Sequence, residues 1–393
     1  MDFPRPFRLL LVGVVLNRVA TFIFPFLTLA LRERGLSPEE TGLVFLAFGA
    51  GSVAALVFGG LLTDAFGRRR LMLVSLFGGG SIAVALGTVE SPAAFVALLL
   101  LYGFVSDLFR PAVYATVADV LPSARRHEGI AALRTAVNLG LAIGVSLGGL
   151  LWHLGPGVLF PADGATTILF GAIVWLGIPE TRKAAASGEA PRPAALWRAL
   201  ARDHILRTAL LCTVAWSLFM VSFMTVLPLT VEEWAGYPAS VYGFTFGLNC
   251  LLVALFQMHA TRSSGGSRRL RVAAAGMLLG GLAVAAVPAV RHWAWFLGVM
   301  AAYTCGEMLV IPGVTAFLSD WAPPSLRGTY LGIHQSAFSL AILAGPPLML
   351  PLRDRVGEAA YWPLFLILAL PAAWALLRMD RTADRPELLR GTD

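Results

Sequence analysis

Apolar residues along this chain run on in long uncharged blocks. The stretches Leu43–Thr63, Leu71–Val89, Thr208–Val231, Val272–Val290 and Ala359–Leu377 each approach the ~20 residues that a helix needs to cross a bilayer. Lipid offers backbone N–H and C=O groups no partner, so such segments satisfy them internally and are predicted helical. On this pattern twelve spans are expected: Phe7–Leu31, Pro38–Thr63, Leu71–Val89, Pro92–Leu121, Glu128–Trp152, Gly164–Ile178, Ile205–Val231, Ala239–Thr261, Val272–Val290, Trp293–Trp321, Arg327–Leu352 and Ala359–Arg378. The first lacks a small-residue cleavage signature and is followed by a second span, so it reads as retained and not as a signal peptide.

Composition agrees. Of 393 residues 57% are hydrophobic and 13% charged, about half the charged share of a soluble domain, and the mean hydropathy is +0.75. An even number of spans puts both termini on one side. Arg5, Arg8, Arg68 to Arg70, Arg125, Arg126, the Arg182 to Arg207 segment, Arg262 to Arg271, Arg327 and Arg378 onward fall in the tails and alternate loops. Only Arg32, Arg34, Arg291, Arg353 and Arg355 fall in the others. By the positive-inside rule this is a multi-pass plasma (inner) membrane protein with cytoplasmic N- and C-termini. The net charge of +7 then belongs to orientation and lipid-surface chemistry, and nucleic acid is not an expected partner. Cys212, Cys250 and Cys305 lie within spans without metal-ligand spacing, so they read as small packing residues and no metal site is expected.

The segment Thr181 to Arg202 is the one long polar interruption and reads as a linker. It divides the chain into 1–180, a first six-helix bundle; 181–203, a cytoplasmic linker; 204–380, a second bundle; and 381–393, a cytoplasmic tail. At a constant offset of 201, Tyr102, Pro111, Asp119, Pro122, Arg126 and Gly144 fall on the identical Tyr303, Pro312, Asp320, Pro323, Arg327 and Gly345, and Gly35 and Gly42 fall on Gly236 and Gly243. The halves are therefore repeats. Parallel six-span repeats joined by a basic linker are a transporter architecture, with the substrate site between them near the midplane.

The stretch "GGLLTDAFGRRR" (Gly59 to Arg70) supplies Gly60, Leu62, Asp64, Gly67, Arg68 and Arg69 in the pattern Gly-x-Leu-x-Asp-x-x-Gly-Arg-Arg/Lys. With it the chain resembles the major facilitator superfamily over nearly its whole length, and within it the 12-span drug:proton antiporter group. The resemblance implies an all-α membrane protein of 12 transmembrane helices in two pseudo-symmetric six-helix bundles. It also makes Asp64, Gly67, Arg68 and Arg69 a conformational gate, in which an anion near a helix end stabilises one closed state and lets go when it opens. The alternative is plain topology, with the arginines fixing orientation and Asp64 capping them. The repeat mate "TRSSGGSRRL" has Gly265 where Asp64 would fall, so a charge lock is expected on one side only.

Two motifs mislead. "GVSLG" (Gly144 to Gly148) matches a nucleophile elbow in letters but lies within span five, so an enzyme is not expected. Gly140, Gly144 and Gly148 instead form a stripe for close helix packing. "GAGSVA" (Gly49 to Ala54) mimics a dinucleotide loop and also lies mid-span. Drug antiporters of the resembled superfamily carry Gly-Pro in span five, where this chain has Val145; Gly345-Pro346 in span eleven restores it in part. The arginine that span four often carries near the position of Leu99 is absent as well.

The ionisable groups left at membrane depth are Arg18, Asp107, Arg110, Arg134, Glu307 and His334, with Asn17, Asn138 and Asn249 beside them. Each central charge costs about 2.5–3.5 kcal/mol on insertion scales, so each needs a partner or water. Gly103, Asp107, Arg110 and Tyr114 follow one helical stripe, as do Tyr303, Glu307, Val310 and Val314, and as do Asn17, Thr21, Phe24 and Thr28 with Arg18 at the edge. In the resembled family, spans one, four, seven and ten line the cavity, which makes Asn17, Arg18, Asp107, Arg110, Tyr114 and Glu307 the expected substrate and proton pathway. Arg134, Asn138, Asn249 and His334 are secondary candidates, His334 also fitting a hydrogen-bonded core histidine. Asp107 and Arg110 alternatively form a static salt bridge, and Glu307 a buried neutral acid. Phe22, Phe24, Phe26, Phe219, Met220, Phe223 and Met224 are candidate cavity walls or lipid-facing filler.

These readings lead to a secondary-active transporter, first a proton-coupled exporter of lipophilic small molecules (multidrug efflux) working by alternating access. No Gly-x4-Gly-Lys-Ser/Thr loop is present, so the proton gradient, and no cofactor, is the expected energy source. The expected partners are a small-molecule substrate, protons and the lipid bilayer, with the chain a monomer. An alternative keeps the fold and carries an anionic lipid, sugar or organic acid, since Arg18, Arg110 and Arg134 outnumber Asp107. A third is a non-transporting receptor or scaffold.

Overall fold

The computed structural model describes residues 3–122, 125–181, 203–263, 268–323 and 326–383, and of Leu56, Val57, Asp64, His127, Thr261, Arg262, Ser263, Gly328 and Thr329 the backbone alone. The linker from Arg182 to Arg202, Gly265 and the tail from Asp384 lie outside the described residues. Among those described, the chain is helical and has no strand. The helices are α1 (Arg5–Val19), α2 (Ile23–Glu33), α3 (Pro38–Phe66), α4 (Arg68–Thr88), α5 (Pro92–Asp107), α6 (Phe109–Val120), α7 (Arg126–Leu151), α8 (Pro156–Gly177), α9 (His204–Thr225), α10 (Ala239–Ser263), α11 (Arg269–Ala285), α12 (Ala294–Trp321), α13 (Arg327–Val356) and α14 (Phe365–Ala383). Ten stretches among the described residues are long and apolar enough to cross a membrane. Two more helices, α3 and α11, lie where the second and ninth spans are expected.

Proline places the interruptions that hydropathy alone does not show. Span one is two helices because Pro25 in the first turn of α2 has no N–H for the Thr21 carbonyl. Span four divides at Leu108, where Pro111 leaves the Asp107 carbonyl without its helical donor. In α12 the mate Pro312 sits inside a continuous helix, and the Met308 carbonyl it orphans accepts from Gln257 Nε2 at 3.4 Å. Pro228 ends span seven in the same way, its orphaned Met224 carbonyl accepting from the Tyr242 hydroxyl at 3.4 Å. A π-helical turn, Thr230–Trp234, follows. Span six corrects the sequence reading: α8 starts at Pro156 and not at Gly164, with Pro161 inside it. A proline there removes one bond near the helix start without ending the helix.

Chain contacts define two units. Unit 1 holds the described residues of Met1–Ser187 with Met224–Ala254 and Pro346–Pro351; unit 2 holds those of Gly188–Phe223, Leu255–Gly345 and Leu352–Asp393. In unit 1, α4 and α8 lie backbone to backbone at Gly80 and Gly164, where a Cβ on Gly164 would come 2.5 Å from the Gly80 carbonyl. The second-half segments join unit 1 through repeat-related glycines. A Cβ on Gly42 would lie 2.7 Å from Pro347 Cα, and one on its mate Gly243 would lie 2.7 Å from the Val145 carbonyl. Arg32 Nε and Glu233 Oε1, themselves mates at offset 201, pair at 3.2 Å.

Unit 2 is built on an aromatic core in which Trp216 stacks on Tyr303 at 5.1 Å and Phe223 touches Tyr303 and Trp362. Asp203 caps α9, accepting from Ile205 N at 2.8 Å and Leu206 N at 3.1 Å. Its second oxygen accepts from Trp321 Nε1 at 3.0 Å and the Tyr330 hydroxyl at 2.7 Å. One carboxylate therefore ties three helices.

Candidate functional site

The break in span four carries the charge pair read from the sequence. Arg110 Nε lies 3.0 Å from Asp107 Oδ1, with side-chain exposures of 58% and 21%. Arg18, at the end of α1, is partly buried and within electrostatic range of Arg110, Tyr102, Asp107 and Asp163. Tyr114 continues the exposed face of α6 at 47% exposure. Gly103 does not belong to that face: it packs on α3, where a Cβ would meet the Phe48 carbonyl.

The structure adds a residue that sequence reasoning missed. Asp163, 2% exposed, accepts at Oδ2 from Phe22 N at 3.0 Å and Ile23 N at 3.2 Å, the first amides of α2. One turn on, Thr167 Oγ1 accepts from Asn17 Nδ2 at 2.7 Å. Asn17 therefore ties α1 to α8. Starting span six at Gly164 left Asp163 in a loop. The nearest available signal was Pro25, which announces amides in need of an acceptor but does not say which.

On the other side of span one, the glycine stripe of α7 lets the backbones meet. A Cβ on Gly144 would lie 2.3 Å from the Arg18 carbonyl, and one on Gly148 would lie 2.5 Å from Phe26. Farther along α7, Arg134 is exposed and Asn138 Nδ2 donates to its own helix at the Arg134 carbonyl. Asn249 is buried on α10.

In unit 2, Glu307 is partly buried on α12, one turn from Tyr303. The rest of that stripe is packing: Tyr303, Val310 and Val314 are all buried. The aromatic wall is also corrected, since Phe22, Phe26, Phe219 and Phe223 are buried in ring contacts or helix packing. Phe24, Met220 and Met224 remain half-buried. His334 is held between Thr213 Oγ1 (3.1 Å from Nδ1) and Thr315 Oγ1 (2.8 Å from Nε2). Two hydroxyls on the two ring nitrogens suit a neutral imidazole in a helix core. Cys212 and Cys250 are buried, whereas Cys305 is exposed and so is not a packing residue.

The loop between α3 and α4 turns at Gly67 with φ +90°. A Cβ there would meet Glu180 Oε2 at 2.6 Å. That carboxylate accepts from Arg68 N at 2.9 Å and Arg69 N at 3.2 Å, an anion on a helix N-terminus. Arg68 Nε reaches Asp119 Oδ2 at 3.0 Å, and Arg69 donates to the Trp175 carbonyl. At offset 201 the pair recurs in unit 2: Arg269 and Asp320 meet at 2.6 Å. An Arg–Asp ion pair is thus present in each unit, while the one-sided lock expected from Asp64 and Gly265 turns on groups outside those described. Asp119 and Glu180, not part of the motif, are the acids that engage it, and the side chain of Asp64 lies outside the described residues.

Sequence comparison decides the family. The Major Facilitator Superfamily matches residues 9–346 and 236–389, which together span most of the chain. The chain belongs to the Major Facilitator Superfamily. Superfamily proteins are transporters and not enzymes, and this chain is a multi-pass membrane transporter. It is similar to the Na(+), Li(+), K(+)/H(+) antiporter of Planococcus maritimus, 28% identical over 88% of this chain and 89% of the relative. It is also similar to the quinolone resistance protein NorA of Staphylococcus aureus (strain MSSA476), 23% identical over 60% of this chain and 61% of the relative. Among solved structures, the human organic anion transporter MFSD10 (TETRAN) matches with a TM-score of 0.68 at 20% identity, covering 95% of this chain and 99% of that one. That likeness is one of fold.

Proposed function

We infer that this superfamily member is a proton-coupled exporter of lipophilic small molecules, with twelve helices in two six-helix bundles, cytoplasmic termini and alternating access. The observation that carries it is the Asp107–Arg110 pair. Arg110 is 58% exposed about two thirds of the way along the span Pro92–Val120, and a charge so placed faces a water-filled route and not lipid. Asp107, Arg110 and Glu307 line that route in this reading, and Asp64 with Arg68 gates it. The names of the antiporter and quinolone-resistance relatives support exchange and efflux.

Asp163 weakens the anionic-substrate alternative without removing it: near the break in span one Asp107 and Asp163 stand against Arg18 and Arg110, while Arg134 lies exposed on α7.

The test is uptake of a lipophilic cation and dye panel into proteoliposomes, with and without an imposed proton gradient, on wild type and Glu307→Gln. The expected result is gradient-driven accumulation in wild type, and in Glu307→Gln exchange without accumulation. Accumulation indifferent to the gradient overturns proton coupling.

A further inference from the structure

Asp163 is a buried carboxylate that the transport reading does not use. Helix α8 straddles the break in span one with two anchors one turn apart. Thr167 holds Asn17 on the α1 side and Asp163 holds the Phe22 and Ile23 amides on the α2 side. The first anchor is neutral at every pH. The second changes charge when protonated, and charge-assisted bonds to backbone N–H are roughly twice as strong as neutral ones.

Both amides converge on Oδ2, and among the described residues no donor reaches Oδ1, which leaves it as the basic position. The compensating charge is Arg18 from α1. Tyr102 from α5 also faces this carboxylate, and Asp107 and Arg110 act on it through Arg18. Against Gly164, α4 brings the Gly80 backbone and Val84, neither of them ionisable.

We propose that Asp163 is a further proton-binding site of the transport cycle, taking up a proton at Oδ1 and thereby loosening the clamp on the break between α1 and α2. The step is one O–H bond formed from a solvent proton, with the carboxylate going from −1 to neutral and no protein bond broken. Neutral Asp163 holds the α2 amides more weakly and frees Arg18 to turn wholly to Asp107. Deprotonation restores the clamp. The proton thus acts on the hinge of span one, and the transport consequence rests on the proton-coupled reading above.

The test is infrared difference spectroscopy of the purified full chain across a pH titration, following the protonated-carboxyl band, together with gradient-driven accumulation in proteoliposomes. Asp163→Asn is expected to remove one titrating band and to lower accumulation by on the order of tenfold or more, while Thr167→Val leaves the band in place. A spectrum unchanged in Asp163→Asn overturns the proposal and leaves the residue a helix cap. Should Asp163→Asn fail to fold, Asp163→Glu keeps the acid one methylene longer, and its band midpoint must move; an unmoved midpoint also overturns it. Because the band is read without transport, a wild type that ignores the gradient would defeat the coupling reading while the Asp163 band still stands or falls alone.

Discussion

The Arg68–Asp119 pair of unit 1 and the Arg269–Asp320 pair of unit 2 are one interaction made twice, and they are not equally protected. In the first, the side chains are 15% and 14% exposed; in the second, 27% and 67%. The acids at the end of each half also differ, one just past α8 and the other inside α14. Glu180 clasps the amides at the start of α4, whereas Asp380 takes the Arg271 side chain at 2.6 Å. The turns differ too: Gly67 sits at φ +90°, and its mate Arg268 at φ −101°. A long-range ion pair needs only a guanidinium and a carboxylate at facing helix ends, and it has persisted through the divergence of the halves. A left-handed turn needs glycine, and it has not. The half with the glycine turn is also the half with the drier ion pair.

The largest test of this asymmetry removes each arginine in turn. Arg68→Ala leaves Asp119 largely buried without its guanidinium and is expected to cost about 2–3 kcal/mol. Arg269→Ala is expected to cost less than about 1 kcal/mol, as exposed pairs do. Chemical unfolding in detergent reads both, and equal losses would break the comparison. A smaller effect comes from the turns. Gly67→Ala forces a Cβ into a left-handed conformation and against Glu180, at about 1–2 kcal/mol. Arg268→Ala, at an ordinary φ, should stay within ~0.5 kcal/mol. A neutral Gly67→Ala would mean that the turn is not what sets the halves apart.

The smallest effect lies where the repeat mates Arg32 and Glu233 pair with each other. Beside them, the Glu232 carboxyl is held above its ordinary value of 4.5 by burial first, then by Glu33 and Glu233. A raised acid binds its proton more tightly when folded. Its contribution is therefore full below the ordinary value and lost as pH rises through the raised one. Thermal unfolding of wild type should show this decline from acid toward neutral pH, and Glu232→Gln should flatten it. An unaltered slope in Glu232→Gln would assign the decline to another group.

Hydropathy made the spans legible because a bilayer imposes one rule on every residue of a span. The glycine motif and the offset of 201 were legible for a different reason: both are local or periodic patterns. What stayed hidden was partnership at long range. Asp163 lies 140 residues from the Ile23 amide it accepts from, and nothing in the local "PADG" distinguishes that acceptor from a turn residue. Glu180 and Arg68 are 112 apart. Asp119 alone left a trace, as one of the residues identical to its repeat mate. A Phe stripe looks alike whether it lines a route or fills a core, and for Phe219 and Phe223 ring packing around Trp216 and Tyr303 decided for the core.

Gly42 and Gly243 give unit 1 two points where chain lies directly on chain. At those points nothing has to dehydrate or find a rotamer for the surfaces to slide, so each behaves as a bare bearing beside the side-chain contacts that flank it, among them Phe26 on Tyr242 and Arg32 on Glu233. One methyl group at either glycine would act as a doorstop, since there is no flexible neighbour to yield: the atoms it would strike are the Pro347 Cα and the Val145 carbonyl. Gly243→Ala is in that sense a tool, a change that acts on backbone contact alone and leaves every charged residue as it is.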